Sequence, residues 1–170
     1  MRRVSIIGCS GSGKSRLAAE LGSLLGLPVI HMDAVHWRPG WERPPEEEWR
    51  QSHAQLLLPE AWILDGNYGG TMEERIAASD TVILLARSRA TCLFRVFKRS
   101  LKGWVGRRPD LAPGCRERLP TLEFLRWIWS YNRIHLPRIL RRLEEAAPQK
   151  SVVILRSDAE VEGFLDSLRG

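Results

Sequence analysis

The chain has 170 residues, 44% of them hydrophobic and 27% charged, with a net charge of +6 and three cysteines. That size supports one domain with a real core and not two ordinary ones, and the balance is that of a soluble globular protein. No apolar run approaches the roughly 20 residues of a membrane-spanning helix, and the four residues from Val4 to Ile7 fall short of the roughly 7–15 of a signal-peptide core, so a cytoplasmic location is expected. Cys9, Cys92 and Cys115 form no C-x-x-C pair, which points to reduced thiols and away from a disulfide framework or a zinc-held lid. The charge is unevenly placed. Residues 87–145 hold 15 basic and 5 acidic side chains, a local net of +10, which leaves −4 on the rest. Such a block suits an anionic partner, either nucleotide phosphates or nucleic acid.

In chain order, residues 3–7 are a short β-branched run that ends in glycines, as a buried parallel strand does. A helix is predicted over 14–25, where Leu17, Ala18, Leu21, Leu24 and Leu25 recur at helical spacing and Gly26 sits at the C-cap. A second strand over 28–32 leads to Asp33. Residues 37–45, rich in Trp, Pro and Gly, read as irregular, and 45–58 as a helix with three glutamates in its first turn. The third strand covers 62–64 and runs into Asp65-Gly66-Asn67-Tyr68. A short helix over 71–78 has Thr71 as its candidate cap, and the fourth strand covers 81–85. A helix over 90–102 follows, and 103–120, with its glycines, prolines and arginines, reads as a mobile loop. A long amphipathic helix over 121–147, bent at Pro137, precedes a last strand at 151–155 and a closing helix at 159–168. This alternation predicts a three-layer α/β domain with a parallel sheet, and no repeat or linker divides it.

Gly8-Cys9-Ser10-Gly11-Ser12-Gly13-Lys14-Ser15 fits G-x-x-x-x-G-K-[ST] at every fixed position, between a predicted strand and a predicted helix. The glycines let successive N–H groups face a phosphate, and the opening helix adds the positive end of its dipole. Lys14 is placed to bridge the β- and γ-phosphates and the Ser15 hydroxyl to ligate Mg²⁺. A nucleoside triphosphate, ATP with Mg²⁺, is the expected ligand. Cys9 lies inside this loop, so its alkylation is expected to block the nucleotide.

There is no N-K-x-D guanine motif, no D-x-x-G after the third strand and no L-S-G-G-Q run. What remains is a minimal core with insertions after the second and fourth strands. In this the chain resembles the branch of P-loop proteins that holds adenylate, shikimate and gluconate kinases. More narrowly, His31-Met32-Asp33, Trp37-x-x-Gly40-Trp41, Asp65-Gly66-Asn67-Tyr68, Arg108-Pro109-Asp110 and the Trp-rich stretch 124–131 resemble the bacterial topology modulation protein group, often labelled adenylate-kinase-related. The resemblance covers about residues 3–165. It implies a five-stranded parallel sheet of order 2-3-1-4-5 with helices on both faces, a core of 1–35, 61–102 and 121–170, an acceptor-binding insertion at 36–60 and a lid at 103–120.

Asp65 ends a buried strand beside the loop, where a carboxylate holds a Mg²⁺-bound water, as the matching Asp-Gly does in the resembling kinases. Asn67 and Tyr68 are expected to face the acceptor. Asp33 ends the second strand at the edge where ligands bind in open α/β sheets. Shikimate- and gluconate-type kinases carry an aspartate here that contacts an acceptor hydroxyl, which tilts the reading towards a hydroxyl acceptor. An N-cap aspartate would look the same, and His31 and His36 beside it are given no role. Arg95 and Arg99 share one helix face leading into the lid. By resemblance Arg99, Arg108 and Arg133 are expected to stabilise the transferring phosphoryl group, and Arg107 to bind nucleotide. Trp37, Trp41 and Trp49 cluster in the insertion, whereas Trp127 and Trp129, two apart, cannot share a helix face. The expected activity is ATP-dependent phosphoryl transfer to a small hydroxyl or nucleotide acceptor. The alternative is a nucleic-acid-associated ATPase that uses the basic block, less favoured because no nucleic-acid-binding motif occurs.

Overall fold

The computed structural model describes residues 1–103, 110–115 and 119–170. Five short apolar runs form the strands β1 (Arg3–Gly8), β2 (Val29–His31), β3 (Trp62–Asp65), β4 (Thr81–Leu85) and β5 (Ser151–Leu155). All pairings are parallel and the order is β2-β3-β1-β4-β5, as expected. Every residue of β3 and β4 is buried, which is why they lack polar alternation.

Two apolar layers cover the sheet. On one face Val4, Ile6, Ile63, Ile83 and Leu85 pack against Leu17, Ala18 and Leu21 of α1 (Lys14–Leu25) and Leu165 of α8 (Asp158–Arg169). On the other, Ile7, Val82 and Leu84 meet Met72 and Ile76 of α4 (Met72–Ala78), Cys92 and Val96 of α5 (Arg89–Gly103), Ile128 and Tyr131 of α6 (Leu122–Ile134), and Ile139 and Leu143 of α7 (Leu136–Ala146). Val4 and Ile6 point one way and Ile7 the other, the two-residue period of a strand between two layers. Each such side chain is worth ~1.5–3 kcal/mol of burial, so the strand that leads into Gly8 is rigidly seated. A third cluster, Met32, Trp49, Trp62 and Leu64, holds α3 (Glu46–Leu56) of the insertion against the β2–β3 side of the sheet.

Five expectations need correction. The second strand stops at His31, and Met32 opens a short helix, α2 (Met32–His36), so Asp33 lies in that helix's first turn and is neither a strand end nor an N-cap. Residues 37–45 contain a 3₁₀ turn, Pro39–Trp41, and an antiparallel bridge from Arg38 to Glu42. Thr71 does not cap α4 with its side chain; it ends a preceding 3₁₀ turn, Gly69–Thr71, and its hydroxyl donates back to the Tyr68 carbonyl at 3.4 Å. The long helix is two helices joined at His135. Pro137 has no N–H for the Arg133 carbonyl and its ring crowds that group, so α6 ends at Ile134 and the proline sits in the first turn of α7. Helix α8 also starts one residue early, because Ser157 accepts from Glu160 N–H while the Glu160 carboxylate accepts from Arg156 N–H at 2.9 Å. Among the described residues, no helix is long and apolar enough to cross a membrane.

Candidate active site

The phosphate loop leaves β1 at Gly8 and turns through Cys9, whose carbonyl accepts from Ser12 N–H at 3.1 Å, before α1 starts at Lys14. Gly11 stands at φ +79 with an imagined Cβ 2.4 Å from the Cys92 carbonyl oxygen, so the loop lies directly on α5 and only glycine fits there. Lys14 Nζ donates to the Cys9 carbonyl at 3.0 Å and so stays across the loop. Ser12 is fully buried with its hydroxyl unpartnered, while its carbonyl accepts from Arg95 at 3.3 Å.

Asp65 is 4% exposed and accepts from the Ser15 hydroxyl at 2.8 Å through Oδ2 and from His31 Nδ1 at 2.7 Å through Oδ1. The parallel register sets His31 opposite Asp65 at the carboxyl ends of β2 and β3. The Asp65 hydrogen bond raises the His31 pKa, and Asp110 and Asp33 reinforce it; partial burial opposes it. Ser15 and Asp65 are hard oxygen donors one hydrogen bond apart. They fit Mg²⁺, which uses one or two protein oxygens together with substrate phosphates and needs no larger ligand cluster.

A cleft of about 260 Å³ opens over this floor. Lys14, Arg16, Arg95 and Arg99 line it, and so do His31, Asp33, Asp65 and Asp110. A neighbouring hollow of about 240 Å³ shares Gly13, Arg16 and Arg95 with it. There Asp158, at the start of α8, accepts from buried Arg87 at 2.8 Å and from Arg95 at 2.6 Å.

Asp33 is exposed and accepts at Oδ1 from the Tyr68 hydroxyl at 2.6 Å. Burial and the Asp33 charge raise the Tyr68 pKa well above its ordinary value, so the phenol remains a donor. Asn67 Oδ1 accepts from Gly8 N–H and from the Tyr131 hydroxyl, each at 3.3 Å. Asn67 therefore fastens the Asp-Gly-Asn-Tyr turn to the phosphate loop, and neither it nor Tyr68 lines the cleft. Arg133 is exposed and also lies outside the lining, because Tyr131, two residues earlier on α6, takes the inward direction. Arg107 and Arg108 fall outside the described residues. Cys9, whose alkylation was expected to block the nucleotide, is 1% exposed with its thiol pKa raised by the Cys92 hydrogen bond and by burial, so the folded chain does not present it to a reagent.

Three functional positions escaped the sequence reading. His31 was traceable: in the order 2-3-1-4-5 its strand end must lie beside that of Asp65. Asp110 belongs to the expected lid, but only the structure sets it in the cleft. Arg75 of α4 left no signal. It is fully buried and donates to Met32 Sδ at 2.7 Å and to the Gly66 and Asn67 carbonyls, each at 3.1 Å, which ties the start of α2 to the turn after β3.

No protein-family model matches this chain, and no curated protein does. Solved structures share the fold. Shikimate kinase from Acinetobacter baumannii in complex with shikimate superposes with a TM-score of 0.61 at 16% identity, covering 99% of this chain and 90% of that one. Deoxyadenosine kinase from M. mycoides with bound dATP gives 0.56 at 15% identity, over 98% and 99% of the two chains. Shikimate kinase from Bacteroides thetaiotaomicron gives 0.52 at 15%, over 99% and 96%. The fold is that of P-loop kinases.

Proposed function

We propose that the protein is a small-molecule kinase that moves the γ-phosphate of Mg·ATP to an acceptor held beside Asp33. The observation that carries this reading is the chain of contacts Ser15–Asp65–His31 under a cleft that Lys14 and Asp33 both line. One cleft then offers a donor floor and an acceptor carboxylate.

Mg·ATP would supply the transferable phosphoryl group, with Ser15 and Asp65 holding the metal and its water shell. Phosphoryl transfer is catalysed chiefly by positioning and charge compensation. Lys14, Arg95 and Arg99 provide the cationic wall that compensates the charge on the phosphoryl oxygens. Tyr68 occupies Oδ1 of Asp33, and among the described residues Oδ2 has no hydrogen-bond partner. Oδ2 is the atom to orient an acceptor hydroxyl and take its proton. The resembling kinases hold adenine through backbone groups at the exit of the last strand, here Ser157-Asp158-Ala159, so the base of the nucleotide would lie towards the hollow that Asp158 lines. The lid arginines Arg107 and Arg108 remain proposed phosphate contacts by the same resemblance, and membership of the topology modulation protein group remains a proposal from motif likeness.

The nucleic-acid reading has less support. Several cations of the basic block are committed within the fold: Arg87 to Asp158, Arg89 over the Trp129 ring at 4.0 Å, and Arg142 to Glu73 at 2.8 Å.

Two variants test the division of labour. Asp33→Asn is expected to retain Mg·ATP binding in a calorimetric titration while losing phosphoryl transfer. Asp65→Asn is expected to weaken Mg·ATP itself by about 10- to 100-fold. Normal transfer by Asp33→Asn would remove it from the acceptor site.

A further inference from the structure

We infer that His31 is a positioning residue for the cation site: its Nδ1–H holds the Asp65 carboxylate so that Asp65 takes the Ser15 hydroxyl hydrogen and leaves the Ser15 lone pairs free for a metal ion. The inference rests on the kinase reading and adds to its metal site a residue that acts through Asp65.

The two-residue period of the strands brings the three side chains together. Val4, Ile63 and Val29 are neighbours across β1, β3 and β2, and all three pack into the apolar layer that holds Leu17, Ala18 and Leu21 of α1. Two residues on, Ile6, Asp65 and His31 are neighbours in the same register and face the same side. Helix α1 opens there, with Ser15 in its first turn. One strand spacing of about 4.8 Å separates the backbones of His31 and Asp65, a gap that an imidazole ring spans.

The last torsion of an aspartate is broad and roughly two-fold, so a single hydrogen bond leaves the carboxylate plane loose. Asp65 has two. Ser15 Oγ meets Oδ2 at 2.8 Å and His31 Nδ1 meets Oδ1 at 2.7 Å, and among the described residues no other hydrogen bond reaches this carboxylate. Asp65 is 4% exposed, so water has little access to Oδ1 and His31 is the donor that occupies it. An ionised carboxylate only accepts, so both partners must donate to it. A hydroxyl has one hydrogen and two lone pairs. With the hydrogen committed to Oδ2, Ser15 has only acceptors to offer elsewhere, which is what a cation requires. Without the His31 N–H, Oδ1 would lack its donor, and the carboxylate would turn away from the orientation that fixes Ser15.

His31 also lines the cleft, and its other ring nitrogen, Nε2, has no hydrogen-bond partner among the described residues. Two variants separate the nitrogens. His31→Asn sets an amide N–H where Nδ1 stands. His31→Gln carries the amide one bond further out, nearer the place of Nε2, and withdraws the donor from Oδ1.

The test is calorimetric titration of ATP into the full chain, once with excess Mg²⁺ and once with EDTA in its place. Wild type and His31→Asn are expected to bind Mg·ATP alike, while His31→Gln loses about tenfold or more in affinity. Without metal, all three are expected to bind ATP alike. A loss in His31→Asn as large as that in His31→Gln overturns the inference, because Nε2 or the ring itself would then matter. Wild-type Mg·ATP affinity in His31→Gln overturns it too. So does a loss in His31→Gln of equal size with and without metal, the mark of a merely structural role. These results leave the kinase reading standing. Absence of Mg·ATP binding by the wild type overturns the kinase reading, and the inference with it.

Discussion

Replacing Gly11 by alanine isolates the join between the phosphate loop and α5. The residue sits at φ +79, where an L side chain costs ~1–2 kcal/mol. The added Cβ would lie 2.4 Å from the Cys92 carbonyl oxygen and 3.1 Å from Val96 Cγ2, where ordinary contact begins at 3.4 Å. Because the nearest atom is helix backbone, the loop or α5 must shift by about 1 Å, and overpacking of that kind costs ~1–3 kcal/mol. The sum, about 2–5 kcal/mol, corresponds to a fall in Tm of roughly 5–15 °C for a chain of this size. Gly26→Ala is the control: its φ is +65 with nothing within 4 Å of the new Cβ, so only the conformational cost of ~1–2 kcal/mol applies. Urea denaturation measures both, and calorimetry with Mg·ATP should show at least about a tenfold weakening for Gly11→Ala alone, because α5 carries Arg95 and Arg99. Equal destabilisation and equal nucleotide affinity in the two variants would refute the contact with α5 as the reason for Gly11.

Two further predictions concern the support of the site. Arg75→Met leaves the Gly66 and Asn67 carbonyls without their donor, and should cost ~2–4 kcal/mol by urea denaturation, with Arg75→Lys recovering part of it; a neutral Arg75→Met would show that the turn holds itself. His53 is 2% exposed, and burial first, then the Arg75 charge, push its pKa from 6.5 down to about 4. The folded chain thus binds fewer protons here than the unfolded one, so stability is full above pH 6.5 and falls as the pH drops towards 4. His53→Gln should flatten that limb of the stability profile, and an unchanged acid limb would contradict it.

Much of this site was legible because its chemistry is carried by local patterns. The phosphate loop needs its glycines, Lys14 and Ser15 at fixed spacing on a strand-to-helix junction, and α1 and β4 have the bounds that their apolar periodicity predicts. Asp33 and Asp65 were readable as polar residues at the ends of apolar runs. What stayed hidden depends on long-range packing. The link from His31 to Asp65 needs the sheet order, Arg75 needs the burial of α4, and the inward turn of Asn67 needs α6 to bring Tyr131 across the sheet. Arg133 was expected at the phosphates by resemblance alone, and its exposed position on α6 depends on which face of that helix packs inward. Pro137 signalled a disturbance, but whether it bends or divides the helix depends on how residues 136–146 pack, with Ile139 and Leu143 drawn into the core.

Calorimetric titration of Mg·ATP into the wild-type chain and into Lys14→Ala tests the central claim most directly. The account predicts saturable, Mg²⁺-dependent binding by the wild type and its loss in Lys14→Ala, with the variant's melting temperature in the absence of nucleotide within a few degrees of wild type. Undiminished Mg·ATP binding by Lys14→Ala would contradict it.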